Sequence, residues 1–147
     1  MRRQATALLA LTGCFIALYL WLHKIGMIGQ LTCGTGSCEA VQASRYAMFA
    51  GLPVALYGVI GYLVLFAVSL VGAAPANLSR RDVDVALAAL ASIGFAFTLY
   101  LTVIELFVLR EICRWCVASA VIITAIWLLS VAGIRRRAGH GKLRRLA

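Results

Sequence analysis

Four long apolar stretches limit what this chain can fold into more than any other feature of its sequence. They are residues 5–22, 51–72, 83–109 and 117–134. An α-helix crosses the hydrocarbon core of a bilayer with about 20 apolar residues, and it satisfies its own backbone hydrogen bonds there. Only 13% of the residues are charged, against about a quarter in soluble domains. The sequence therefore predicts an all-α membrane protein with four transmembrane helices, and not a soluble globular domain.

Small residues recur inside the apolar stretches, as in "GVIGY" and "ALAALASIGFAF". Small side chains let membrane helices approach one another closely, so we expect the four helices to pack as a compact bundle. The 147 residues leave little chain outside such a bundle. Residues 1–147 are therefore interpreted as a single integral membrane domain that ends in a basic cytoplasmic tail at 135–147.

Basic residues indicate how the bundle is oriented. Most of the 14 Lys and Arg residues precede the first stretch, lie between the second and third, or follow the fourth. The opposite ends of the stretches carry Lys24, Arg45, Arg110 and Arg114. Because positive charge is retained on the cytoplasmic side, both termini are predicted to be cytoplasmic. The net charge of +9 is then a topology signal, and we expect no nucleic-acid partner.

The first stretch allows a second interpretation, because "LTGC", ending at Cys14, matches the pattern of a bacterial lipoprotein cleavage site. A secretory signal peptide would also begin with positive charge. The apolar stretch continues past Cys14, however, and its removal would leave three helices with the amino terminus outside. We therefore favour a retained first helix in which Cys14 is a small buried side chain.

The other four cysteines, Cys33, Cys38, Cys113 and Cys116, all fall at the predicted extracytoplasmic end. This is the oxidising side, where disulfides form and persist. Cys33 and Cys38 lie in "CGTGSC", whose glycines permit unusual backbone angles and mobility. Such a loop can close a disulfide, and it can also carry one sulfur to another partner.

The second pair lies in "CRWC" at the start of the fourth helix. If that helix begins near Cys113, the two sulfurs lie three residues apart on one face. The helix N-terminus stabilises a thiolate there, and Arg110 and Arg114 add positive charge nearby. Trp115, like Trp21, is interpreted as an interfacial anchor.

Three interpretations of the four thiols remain open. The spacings C-x4-C and C-x2-C fit a zinc site loosely, but a bundle of apolar helices does not need a metal to fold, so no metal is expected. Static disulfides are common in extracytoplasmic loops. The third interpretation is a relay, in which one pair receives electrons from outside and passes them to the second by thiol–disulfide exchange. The acceptor would then be a two-electron acceptor within the bilayer, for which a lipid quinone is suited.

Two segments, "CGTGSCEAVQASRYAMFAGLPVALYGVIGYL" and "YLTVIELFVLREICRWCVASA", resemble the vitamin K epoxide reductase family in its compact bacterial form. The resemblance depends on the loop cysteine pair, on Ser44 six residues after it, on "GLPVALYG" and on the C-x-x-C. It implies four helices around a quinone, with the loop and a short surface helix at residues 37–44 covering the pocket.

The resemblance also implies roles for the cysteines. Cys33 would meet a thioredoxin-like partner, Cys38 would exchange with Cys113, and Cys116 would pair with Cys113 and react with the quinone. Without a fused thioredoxin-like domain, the partner is expected to be a separate extracytoplasmic oxidase of the DsbA type. The expected function is disulfide formation at a bacterial inner membrane, with ubiquinone or menaquinone as acceptor.

The candidate quinone-binding residues lie on the loop and on the second, third and fourth helices: Ser44, Tyr46, Val54, Tyr57, Leu101, Glu105 and Ala120. Val54 and Ala120 are apolar, whereas members of the family that reduce vitamin K carry Asn and Tyr at these positions. This difference argues against epoxide reduction. Glu105 is either a group that serves the quinone or an interfacial residue paired with a base such as Arg45. A vitamin K quinone or epoxide reductase and a structural protein stapled by disulfides are the alternative functions.

Overall fold

The structure is a computed structural model that describes residues 2–31, 37–74 and 81–146, with the backbone alone described at 37 and 137–146. Within these residues, four helices are long and apolar enough to cross a membrane, over Arg2–Lys24, Val54–Ala73, Arg81–Leu109 and Arg114–Arg136. They pack as a bundle, which confirms the predicted all-α fold class.

The first helix, α1 (Arg2–Lys24), packs against both the second and the fourth membrane helices. Its buried face consists mostly of small residues, among them Ala7, Ala10, Gly13, Cys14 and Ala17, which allows this close approach. At Gly13 an added Cβ would lie 2.4 Å from a ring carbon of Tyr62. Cys14 is buried in this core, as predicted, so the first helix forms part of the bundle.

The second membrane helix, α3 (Val54–Ala73), follows a short surface helix, α2 (Ser37–Ala43), and a 3₁₀ turn at Arg45–Ala47. Tyr62 on α3 is 5% exposed, and its hydroxyl donates a hydrogen bond to the Ser119 carbonyl on the fourth membrane helix at 2.9 Å. A buried hydroxyl requires such a partner, so this bond fixes the register between the two helices. The short helix agrees with the one expected at residues 37–44.

A short hairpin of two two-residue strands precedes α3. The second membrane helix therefore does not begin at residue 51, as the sequence predicts. Strand β1 (Met48–Phe49) pairs antiparallel with β2 (Leu52–Pro53). Ala50 and Gly51 form its turn with φ of 49° and 83°, as tight hairpin turns require. Pro53 is extended, with ψ of 133°, so the helix begins only at Val54. Because Pro53 belongs to the strand, it does not lie in the first helical turn.

The third membrane helix comprises α4 (Arg81–Val103) and a π-helical segment at Ile104–Leu109. Arg110 then adopts a left-handed conformation with φ of 53°, which ends the helix. A wider π turn inside an α-helix is a recurrent feature of functional sites. Here it lies directly before the C-x-x-C segment.

The fourth membrane helix, α5 (Arg114–Leu146), begins three residues before the predicted start at 117 and continues past the predicted end at 134. Much of the predicted basic tail is therefore helical backbone. The reason for the early start is that the carbonyl of Cys113 already accepts the amide of Val117 at 3.0 Å, the first bond of a regular helix.

A buried ion pair closes the end of the bundle where α1 begins. The Arg3 guanidinium lies 2.9 Å from a carboxylate oxygen of Asp84, and the two side chains are 11% and 8% exposed. Arg3 also donates a hydrogen bond to the Gly72 carbonyl. One side chain of α1 thus joins the adjoining ends of α3 and α4.

Candidate redox site

A buried cluster at the opposite end of the bundle contains three of the five cysteines, and we call it the cysteine cluster. Its fully buried members include Cys38 and Cys113, both 0% exposed. Cys116 and Trp115 pack against them from the first turn of α5. The remaining members come from α1, the segment after it, α2, α3 and the π-helical segment: Ile16, Tyr19, Leu20, Leu31, Val41, Ala55 and Leu109.

The cysteines of the cluster differ in oxidation state. Cys38 is disulfide-bonded, whereas Cys113 and Cys116 carry free thiols. Cys33, the other predicted member of the loop pair, lies outside the described residues. The structure therefore places an oxidised cysteine and a reduced dithiol in one apolar cluster, which is the arrangement that thiol–disulfide exchange requires.

The Cys113–Cys116 pair is arranged by the start of α5. The amide of Cys116 donates a hydrogen bond to the sulfur of Cys113 at 3.4 Å. The hydrogen bond from the Cys116 side chain lowers the pKa of Cys113 most, and the amides of Cys116 and Trp115 add to this effect. Burial and the negative charge of Glu105 oppose it. Hydrogen bonds that stabilise the thiolate therefore prevail over desolvation.

Two arginines predicted to help do not account for this lowered pKa. Arg110 and Arg114 are both exposed, and neither is among the causes that act on Cys113. An exposed guanidinium is screened by solvent, whereas the amides of the first helical turn lie within the cluster. The amides at the start of α5 thus act on Cys113 as expected for a helix N-terminus.

Glu105 is a member of the site rather than an interfacial residue. It is 8% exposed, and its Oε1 accepts a hydrogen bond from the Cys113 amide at 3.0 Å. A carboxylate oxygen of Glu105 and the sulfurs of Cys113 and Cys116 all lie within 4.8 Å of one another. Arg45, its alternative partner, instead lies over the Tyr46 ring at 5.5 Å from the ring centroid.

The three donor atoms of this group do not by themselves define a metal centre. Structural zinc takes four ligands, and two thiols with one carboxylate supply three. A dithiol beside a carboxylate offers two electrons and a proton acceptor in one place. We therefore interpret the group as a redox site and assign no metal to it.

Trp115, which the sequence predicts to be an interfacial anchor, packs against the cysteine cluster at the start of α5. Its ring packs against Tyr19 with the centroids 5.1 Å apart. The indole N–H is buried and finds no hydrogen-bond acceptor among the residues that the structure describes. An unsatisfied buried donor costs about 1–3 kcal/mol, so this N–H is suited to meet an acceptor on a ligand. No sequence pattern signals this, because the missing partner is a three-dimensional property.

The remaining predicted site residues are not among the members of the cluster. Ser44 donates its hydroxyl to the Val41 carbonyl at 2.7 Å, and the Tyr57 hydroxyl donates to the Phe49 carbonyl at 3.2 Å. The half-buried set is Tyr46, Val54, Leu101 and Ala120. Among the predicted residues that the structure describes, it thus brings together Cys38, Glu105, Cys113 and Cys116.

Four membrane-length helices with a reduced dithiol and an oxidised cysteine buried at one end define a membrane-embedded thiol oxidoreductase. The sequence matches the vitamin K epoxide reductase family over residues 4–131, and the chain belongs to that family. Its members are oxidoreductases that use quinones, so this chain is a multi-pass membrane enzyme of thiol–quinone redox chemistry. The matched range includes all five cysteines.

Proposed function

We propose that this enzyme oxidises a separate thioredoxin-like protein of the DsbA type and passes the electrons to a lipid quinone, ubiquinone or menaquinone. Its product outside the membrane is disulfide bonds in secreted proteins. The observation that supports this most is that disulfide-bonded Cys38 and the free dithiol of Cys113 and Cys116 share one buried cluster.

Electrons enter in this proposal through the loop pair. The dithiol of the partner attacks the loop disulfide at Cys33, so the partner is oxidised and the loop becomes a dithiol. The Cys38 thiolate then attacks Cys113 in the oxidised Cys113–Cys116 disulfide and releases the Cys116 thiol. Cys33 resolves the Cys38–Cys113 mixed disulfide, which re-forms the loop disulfide and leaves Cys113 and Cys116 reduced. The common burial of Cys38 and Cys113 supports this order.

Electrons leave through the inner pair, which is Cys113 and Cys116. The dithiol of Cys113 and Cys116 gives two electrons and two protons, and the quinone becomes a hydroquinone. Cys116 faces the acceptor, and the thiolate of Cys113 attacks the sulfur of Cys116 as the electrons leave. The lowered pKa of Cys113 supports this role, because it increases the fraction present as the thiolate nucleophile.

The quinone would lie beside the cysteine cluster, held mostly by apolar contacts with a few polar groups. Glu105 and the unpaired N–H of Trp115 supply polar groups at that place. The N–H would donate to a quinone carbonyl. The other residues that we propose to line the site are those expected from the sequence: Ser44, Tyr46, Val54, Tyr57, Leu101 and Ala120.

We propose further that the cysteine cluster lies on the extracytoplasmic side of a bacterial inner membrane and that both termini are cytoplasmic. Arg2, Arg3, Arg135 and Arg136 lie at the opposite end of the bundle from the cysteines, and basic residues are retained in the cytoplasm. This orientation also places the cysteines where disulfides persist.

The test is reconstitution in proteoliposomes with a ubiquinone or menaquinone analogue and a reduced DsbA-type protein. We expect quinone reduction that depends on the partner and is lost in Cys116→Ser. Cys14→Ala is the matched control, because Cys14 is a free thiol in the bundle core away from the cluster, and it should retain activity. Absence of quinone-dependent oxidation in the wild type would contradict the proposal, and reduction of vitamin K epoxide would favour the alternative reductase.

A further inference from the structure

We propose that Glu105 is a catalytic base that takes the thiol proton of Cys116 during oxidation of the inner pair and delivers it to the reduced quinone. The inference rests on the proposed function and deepens it, because it assigns the path of a proton. It is carried by the position of one buried carboxylate beside the two sulfurs, with all three groups within 4.8 Å of one another.

The first argument is the free-energy cost of burying the Glu105 carboxylate within the third membrane helix. A carboxylate inside a membrane span is expensive and is usually paired or functional. Glu105 is 8% exposed, yet the ion pair found in the described part of the chain joins Arg3 to Asp84 at the other end of the bundle. Its contacts are the Cys113 amide and the side chain of Cys116, within hydrogen-bonding reach. No cation compensates the charge among these contacts, so a role in proton transfer explains its presence.

The second argument is that the backbone is shaped to bring the carboxylate and the thiols together. Glu105 lies on the π-helical segment Ile104–Leu109, and the left-handed Arg110 turns the chain back toward the start of α5. This return allows the amide of Cys113 to reach Glu105 across eight residues. Both features are uncommon in a membrane helix, and both lie in the stretch of chain that joins Glu105 to Cys113.

The third argument is the proton balance of the reaction. Oxidation of the dithiol forms one S–S bond and releases two electrons and two protons, and the quinone takes up two of each. Cys113 loses its proton first, to solvent, because its thiolate is stabilised by hydrogen bonds. The Cys116 proton passes to the Glu105 carboxylate and then to one quinone oxygen. The other oxygen receives its proton from solvent, which closes the balance.

Apart from the Cys113 thiolate, which is the nucleophile of the reaction, the groups that surround Glu105 do not supply another base. Within the described residues, the titratable groups that face it are Cys113 and Cys116. The other helices contribute Tyr19 from α1, the disulfide-bonded Cys38 from α2 and the uncharged Ala55 from α3 to the cluster. The wild-type rate should therefore fall as the pH is lowered through the titration of Glu105, because a protonated carboxyl cannot accept the proton.

The test is single-turnover quinone reduction by the pre-reduced enzyme in proteoliposomes, from acidic to alkaline pH. Glu105→Gln retains an oxygen that can accept the Cys113 amide but cannot take a proton. We expect a rate about 100-fold lower than wild type at neutral pH, as for loss of a general base, with partial recovery at alkaline pH where hydroxide replaces the base. Glu111→Gln is the matched control, since Glu111 is exposed nearby, and it should retain the wild-type rate.

Several results would contradict the proposed role of Glu105 or the function on which it rests. A Glu105→Gln rate that equals wild type, or that is lowered equally at every pH, would show that Glu105 only positions the Cys113 turn. If the variant does not fold, a solvent deuterium isotope effect of about 2-fold on the wild-type rate supports the proposal, and an effect of 1 overturns it. A wild-type enzyme that does not reduce quinone at all would instead overturn the proposed function.

Discussion

The amide of Cys113 donates a hydrogen bond to Oε1 of Glu105 at 3.0 Å, and this contact joins the end of the third membrane helix to the start of the fourth. Since Cys113 is 0% exposed and Glu105 is 8% exposed, solvent does not compete for the bond. The same carboxylate approaches Cys116. The contact therefore fixes the helix start on which the dithiol is built, and it places an acid–base group beside that dithiol.

The proposed order of the relay predicts a trapped intermediate in Cys33→Ala. Without Cys33, a mixed disulfide between Cys38 and Cys113 has no resolving thiol on the loop side, so it should accumulate. Proteolysis and mass spectrometry under non-reducing conditions would detect the cross-linked peptides. Cys33→Ala combined with Cys14→Ala should give the same product. Unchanged oxidation of the partner by Cys33→Ala, without the cross-link, would show that electrons do not enter at Cys33.

The hydrogen bond from Cys116 predicts a pH profile for Cys113 in the reduced enzyme. A lowered pKa means that the thiolate is present at lower pH, so alkylation of Cys113 should reach half of its maximum below the ordinary value of about 8.5. Cys116→Ser retains a side-chain donor and should retain much of this shift. Cys116→Ala removes the donor and should move the profile to higher pH. Identical profiles for the two variants would exclude the Cys116 side chain as the cause.

The buried indole N–H predicts a specific effect of Trp115→Phe on quinone binding. Loss of one neutral hydrogen bond, worth about 0.5–1.5 kcal/mol, should raise the KM for quinone by roughly 2- to 10-fold. The melting temperature without quinone should not fall through loss of a hydrogen bond, since this N–H has no acceptor among the described residues. Steady-state kinetics and thermal unfolding in detergent would measure the two effects.

Trp127→Phe is the matched control for that prediction. The Trp127 indole donates to the Ser92 hydroxyl at 3.0 Å, away from the cysteine cluster. Its substitution should lower the melting temperature and leave the KM for quinone unchanged. The opposite pattern, with Trp127→Phe affecting KM and Trp115→Phe affecting only stability, would place the quinone elsewhere.

The ion pair at the other end of the bundle predicts a stability effect that is independent of the redox chemistry. Arg3→Ala removes the guanidinium from beside the buried Asp84 carboxylate and should lower the free energy of unfolding by about 3–5 kcal/mol. The double variant Arg3→Met with Asp84→Leu should lose less, because no buried charge remains. Arg81→Ala, at an exposed position, should change little. Chemical unfolding in detergent would measure these free energies of unfolding. A loss in the double variant that equals the sum of the losses in its two single variants would contradict the coupling between Arg3 and Asp84.

The number and placement of the membrane helices were predictable because apolar length is a local property of the sequence. The location of Cys14 in the core followed from the same pattern. The hairpin at Met48–Pro53 was not predictable, since strands of two residues carry no periodicity. The start of α3 was misplaced for that reason.

The site was predictable in its cysteines, whose spacing is visible in the sequence, and in Glu105 as one of two interpretations of a carboxylate within an apolar stretch. The nearness of Glu105 to both sulfurs depends on the π-helical segment and on Arg110, which no local pattern signals. The pairing of Arg3 with Asp84 joins residues 81 positions apart, and charge patterning suggested only membrane orientation for Arg3. Long-range packing therefore decides which charged side chains are buried and which are not.

The central claim is that the inner cysteine pair, and not the loop pair, donates electrons to the quinone. The most direct measurement mixes fully reduced enzyme with a quinone analogue without oxygen and traps the thiols with an alkylating reagent over time. The account predicts that the Cys113–Cys116 disulfide forms first, at the rate of quinone reduction and with one hydroquinone per disulfide. Formation of the Cys38 disulfide before the Cys113–Cys116 disulfide would contradict it.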